Sequence, residues 1–181
     1  MESDKLGELT LMLKEPPGSD YRFVDPENIE FGEWVRMKCV YGCPYYGNGA
    51  MCPPNTPPVS ECKAFIGEYS KAALIRFSKA VEKKEDRHEW TREINESLLK
   101  LERDTFLKGF YKAFVLFVDP CNFCDECAGE RLSCKRPKDC RPSPEGFGID
   151  VFATARTAGF PIDVLTDYTE TMNRYGFLLI S

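Results

Sequence analysis

Cys121, Cys124 and Cys127 stand three residues apart, and Cys134 and Cys140 follow them. Cysteines at that spacing in a curved loop can turn successive sulfurs toward different metals of one small cluster. The bacterial ferredoxin run, C-x2-C-x2-C-x3-C-P, shares the first three positions. Here the next cysteine comes after six residues, and the proline only at Pro137. Cys134 is therefore the first choice for a fourth ligand and Cys140 the second. In two-cluster ferredoxins the fourth cysteine of such a run serves the other cluster. The alternative is structural zinc, which more often draws on two separated C-x2-C pairs.

A second group, Cys39, Cys43, Cys52 and Cys62, lies among Gly42, Pro44, Gly47, Gly49, Pro53, Pro54, Pro57 and Pro58. So many turn-forming residues exclude a long regular element, and the segment reads as an irregular loop that something else must hold. A second metal site on these four cysteines is the expectation. Cys62 is its weakest member, because it falls in a helical stretch over 61–69. Alternatively, the three earlier cysteines share a site with a cysteine of the second group. The spacing is not the C-x3-C-x2-C run of radical enzymes.

The chain has nine cysteines and one histidine, His88, so any metal site is almost all sulfur. Thiolate-rich sites suit zinc, copper(I) and iron–sulfur clusters. The first residues, Met1 to Lys5, carry no apolar leader, so a reducing cytoplasmic setting with free thiols is expected. One or two [4Fe-4S] clusters are the expected cofactors, with zinc the alternative. Arg131, Lys135, Arg136, Lys138 and Arg141 surround the last cysteines; they suit an anionic cluster, a solvated loop or an acidic docking partner. The net charge of -5 argues against nucleic acid, and no apolar run is long enough for a membrane. His88 reads as a surface residue of a charged helix, and Trp34 and Trp90 as packing residues. No Walker motif, dinucleotide fingerprint or nucleophile–base pair is present, so no catalytic residue is assigned.

The elements that must position these thiols are few. Residues 72–77 and 111–118 read as buried strands. Between them, 85–108 is charged, with Trp90, Ile94, Leu98 and Leu101 at helical spacing, and Gly109 as a stop. This β-α-β unit is most simply a parallel crossover. Pro16-Pro17-Gly18 reads as a turn. Ser143-Pro144-Glu145 reads as a helix start, with Phe147, Val151, Ala155 and Ala158 on one face and Gly159 and Pro161 at the end. Residues 164–166 and 175–180 complete the strands. The 181 residues then form a single α/β or α+β domain. Its small mixed sheet is flanked by two main helices, with cysteine loops at 39–62 and 121–140 at one end.

Several motifs together resemble a known family. They are Cys39-Val-Tyr-Gly-Cys43-Pro-Tyr-Tyr-Gly, Cys52-Pro-Pro, the Cys121/Cys124/Cys127 run, Cys134-Lys-Arg-Pro, and Arg141-Pro-Ser-Pro-Glu-Gly-Phe-Gly-Ile-Asp-Val. The family is an uncharacterised cysteine-rich one of predicted metal-binding proteins, found mainly in methanogenic archaea and anaerobic bacteria. The resemblance runs from about residue 30 to the end of the chain. It implies metal binding in an anaerobic setting, and no established reaction. Cys39, Cys43, Cys52, Cys121, Cys124, Cys127 and Cys134 match its pattern; Cys62 and Cys140 match it less closely.

The function expected on this basis is electron transfer by an iron–sulfur protein, with a redox partner protein. The alternatives are an enzyme or cluster-assembly factor with an open iron position, and a zinc-stabilised interaction module.

Overall fold

The computed structural model describes residues 2–16, 19–81, 83, 85–167 and 169–181. Pro17 and Gly18 of the expected turn lie outside the described residues. Among the described residues, five α-helices and four strands make an α+β fold: α1 (Glu2–Met12), β1 (Ser19–Val24), α2 (Glu33–Gly42), α3 (Val59–Ile66), β2 (Lys71–Lys79), α4 (Asp86–Leu107), β3 (Phe114–Leu116), α5 (Val151–Thr157) and β4 (Met172–Ile180).

The strands form one sheet in the order β1-β2-β4-β3, and every ladder is antiparallel. This corrects the mixed sheet and the simple parallel crossover. Since β2 and β3 each run antiparallel to β4, they run parallel to one another, as a β-α-β unit requires. β4, however, lies between them. The reason the apolar runs misled is burial on both faces. Ala73, Ile75, Phe77, Val115 and Leu178 pack with Leu9 of α1, Leu13 just beyond it, and Ile94 and Leu98 of α4. Ala72, Leu74, Leu116, Phe177 and Leu179 pack on the other face with Ile66, Val151, Ala155 and Phe160. A strand covered on both sides reads as a continuous apolar run whichever way its neighbours point.

α4 follows its sequence pattern, with Trp90, Ile94, Leu98 and Leu101 buried and Gly109 at a φ of 94° just beyond it. Its buried polar residues seal the free edge of β3. The Val115 amide donates to Glu102 Oε2 at 2.7 Å, and the Val118 amide donates to Asn95 Oδ1 at 3.1 Å. The Phe117 amide donates to Pro142 O at 2.9 Å. An edge that would otherwise recruit another strand is thereby satisfied within the chain. The strand expected over 111–118 is accordingly short.

Two further expectations are corrected. Residues 164–166 form no strand, and Val164 is 78 % exposed. The helix expected from Ser143 begins only at Val151. Ser143 instead caps a single 3-10 turn over Glu145–Phe147, accepting from the Gly146 amide at 3.1 Å. Gly148, at a φ of 82°, breaks that turn, and Asp150 then caps α5 by accepting from the Ala153 amide at 3.0 Å. Among the described residues no helix is long and apolar enough to cross a membrane.

Candidate metal centre

The first cysteine group is only partly a loop. Cys39 lies in the last turn of α2, and Cys43 caps it, its amide donating to Cys39 O at 3.3 Å. Beyond it the chain folds into consecutive tight turns. The Gly49 amide donates to Tyr45 O and the Cys52 amide to Gly49 O, both at 3.0 Å, and the Gly47 amide donates to Pro53 O at 2.9 Å. A Cβ at Gly49 would come within 2.8 Å of the Cys52 sulfur, so only glycine lets that sulfur fold back against the turn. Arg36, also on α2, donates to Pro57 O at 3.0 Å and to Gly146 O at 2.9 Å. It clamps the loop to the chain leaving the second cysteine group.

The second group leaves β3 directly and is anchored to α4. Arg87 holds Asp119 in a two-pronged pair at 2.9–3.2 Å. Arg92 donates to Asn122 O at 2.9 Å, and Asn122 in turn donates to His88 O at 3.0 Å. Phe123 is buried edge-on against Phe117, and the Arg136 guanidinium covers its ring. Downstream, the Cys134 and Cys140 sulfurs are 3.6 Å apart. The Arg141 guanidinium is held by Glu102, closing the segment onto α4.

These two groups, far apart in sequence, meet. The Ala50 amide donates to Cys127 Sγ at 3.3 Å, and Asn55 donates to Gly49 O at 3.1 Å and to Gly129 O at 2.7 Å. A cleft of about 650 Å³ is lined by Cys52, Cys121, Cys124, Cys127, Cys134 and Cys140. Its opposite wall carries residues from Glu85 to Glu96, including His88 and Arg92. Cys39 and Cys43 adjoin it through Cys52. Burial pushes the Cys52 thiol up to about 12, and Cys43, Cys39, Cys127 and Cys121 push it the same way. Burial likewise raises Cys39, which also feels Cys43. It raises Cys121 too, which feels Cys134, Cys124 and Cys127. Cys140 is pushed up to about 11 by burial and then by Cys134. Without a metal these thiols stay protonated, so a metal entering the site must displace protons.

Cys62 stands apart. It lies on α3, 1 % exposed within the apolar cluster of Ile66 and Leu74, and its thiol donates to Pro57 O at 3.5 Å. Burial pushes it up to about 11, with Arg36 opposing. The charged groups that act on it most are Arg36 and Glu61. All nine cysteines are free thiols.

The donor set is all sulfur, which suits a soft metal. Among the described residues no three His, Cys, Asp or Glu side chains are arranged around a single ion.

Of the five basic residues near the last cysteines, Arg136 pairs with Asp139 at 3.0 Å and Lys135 donates to Glu126 O at 3.2 Å. Arg131 donates to Pro137 O at 3.3 Å, and Arg141 serves Glu102. Trp90 is core, whereas Trp34 is half exposed under Lys38. The residues that spacing alone does not reveal are Arg36, Asn55, Glu102 and Asn122. A buried acid on the apolar side of α4 was the one available signal, at Glu102.

The profile of a family described as "Predicted metal-binding protein (DUF2284)" matches residues 22–180. No curated protein and no solved structure matches the chain.

Proposed function

The chain belongs to the DUF2284 family of predicted metal-binding proteins, and from that premise we propose that its cysteines bind iron–sulfur clusters for electron transfer. The observation that carries the reading is the convergence of six of the nine cysteines on one cleft, where Ala50 donates its amide to Cys127 Sγ at 3.3 Å. Bound clusters would supply reversible one-electron chemistry. One electron enters from a reduced donor protein and leaves to an oxidised acceptor, and no bond is made or broken. The chain's own groups contribute the rest. Thiolates hold the metal, and the Ala50 amide donates to the Cys127 sulfur, which stabilises negative charge there. Phe123 walls off water on one side. The partner proposed is a redox protein, in an anaerobic cytoplasm.

Anaerobic purification tests this. The expected product is brown, with iron, acid-labile sulfide, a broad band near ~400 nm and an EPR signal on reduction. A colourless protein with stoichiometric zinc and no iron overturns it.

The cleft favours one second reading, an iron position left open for a substrate. A reduced cluster whose EPR signal shifts on adding a small thiol or sulfide would favour this enzyme-like role over simple electron transfer.

A further inference from the structure

Once Cys62 is set aside in the apolar core, the two groups hold unequal numbers of thiols. Cys39, Cys43 and Cys52 remain in the first, and Cys121, Cys124, Cys127, Cys134 and Cys140 make up the second. Two four-thiolate centres then require one cysteine to cross from the second group to the first. The structure singles out Cys127. It is the one cysteine of its group whose sulfur accepts from the first loop, at Ala50, two residues before Cys52. The residues just beyond it are sewn to the same loop. Gly129 O accepts from Asn55, and Gly129 lies so close that a Cβ there would be 3.8 Å from Gly47 O and 3.9 Å from Asn48 O.

The thiols left behind form their own set. Cys134 and Cys140 have sulfurs 3.6 Å apart, and both line the same cleft as Cys121 and Cys124. On the other side, Cys52 shares a turn with Ala50, the residue that donates to Cys127 Sγ, its own amide donating to Gly49 O at 3.0 Å.

We propose that the two centres are built crosswise, with Cys39, Cys43, Cys52 and Cys127 holding one cluster and Cys121, Cys124, Cys134 and Cys140 holding the other. The proposal rests on the cluster-binding reading above. It assigns Cys134 and Cys140 to the same centre rather than making them rivals, and it interrupts the Cys121/Cys124/Cys127 run at its third member. The two centres share the peptide from Cys124 to Cys127, so they lie close enough for their electron spins to interact.

The experiment compares iron per chain, and EPR of the reduced protein, after anaerobic reconstitution with iron and sulfide. The single variants Cys39→Ala, Cys124→Ala and Cys127→Ala should each lose about half the iron and leave one EPR signal without spin interaction. The double variant Cys39→Ala/Cys127→Ala should keep that half, because both changes strike one centre. The double variant Cys124→Ala/Cys127→Ala should lose nearly all of it. The reverse pattern, with Cys124/Cys127 keeping half and Cys39/Cys127 losing nearly all, overturns the crosswise arrangement and leaves cluster binding standing. A parent chain that takes up no iron brings down the cluster-binding reading itself. Far-UV circular dichroism checks that the sheet persists in each variant, and exposed Cys127 is outside both apolar clusters.

Discussion

Glu102 accepts from the Val115 amide and from the Arg141 guanidinium with the same carboxylate. One acid on α4 therefore seals the edge of β3 and also ties down the residue that follows Cys140. Its side chain is 12 % exposed and that of Arg141 18 % exposed, so the pair is held largely away from water. Glu102→Ala leaves a guanidinium and an amide without their partner. The expected loss is about 3–5 kcal/mol, since breaking one side of a buried pair strands the other. Glu102→Gln keeps an acceptor and should lose less. Denaturant unfolding of the two variants measures the difference, and equal losses would show that the charge alone, not the retained acceptor, holds the clasp.

Cys62→Ala should leave iron content unchanged. Its sulfur lies in the apolar layer beneath the sheet, so the substitution should cost about 1–2 kcal/mol as a small cavity. Metal analysis and thermal melting read the two effects separately. Loss of iron at unchanged stability would place Cys62 among the ligands.

Asn55→Ala removes two hydrogen bonds, one within the first cysteine loop and one to Gly129. A cost of about 1–3 kcal/mol is expected from the carbonyls left unpaired. Amide hydrogen exchange should speed up over 47–55 and 127–129, while β2 and β4 keep their protection. A uniform acceleration across the sheet would mean that the bridge is not local.

Gly148→Ala places a side chain at a φ of 82° and a Cβ 2.7 Å from Val59 Cγ2. Strain and overpacking act together, and a loss of about 2–4 kcal/mol is expected. Adding Val59→Ala should recover the overpacking part and leave the backbone part. Thermal melts of the single and double variants test this, and no recovery would assign the whole effect to the backbone.

Chelating the metal should loosen the cysteine segments and leave the sheet folded. The two apolar clusters on either face of the sheet are held by side chains such as Leu74, Phe77, Leu98 and Phe177, with no metal among them. Far-UV circular dichroism should change little, while exchange at 121–140 rises. Complete unfolding on chelation would show instead that metal binding drives folding of the whole chain.

How far these features could be read from sequence depended on the range over which each is determined. α4 was legible because one helix face repeats locally from Trp90 to Leu101. β2 and β4 were legible as apolar runs, yet burial on both faces erased the alternation that marks an antiparallel strand. β1 escaped notice because Ser19–Val24 is an edge strand, with Asp20 and Arg22 among its residues. The turn-rich composition around Cys39 masked the end of α2, since the glycines and prolines begin only at Gly42. At the site, the thiols were legible from their types and their spacing. Their convergence was not, because Ala50 and Cys127 lie 77 residues apart and are brought together through the sheet between them.

The position of β4 sets an order of assembly. Among the described residues it is the last strand and one of the two central strands of the sheet, pairing with both β2 and β3. Every cysteine therefore emerges from the ribosome before the strand that fixes β3, and with it the start of the second cysteine group, against the rest of the molecule. Until Met172–Ile180 pairs with both β2 and β3, nothing in the sheet registers the second cysteine group against the first, so a metal centre that draws on both groups forms only after this late strand is in place.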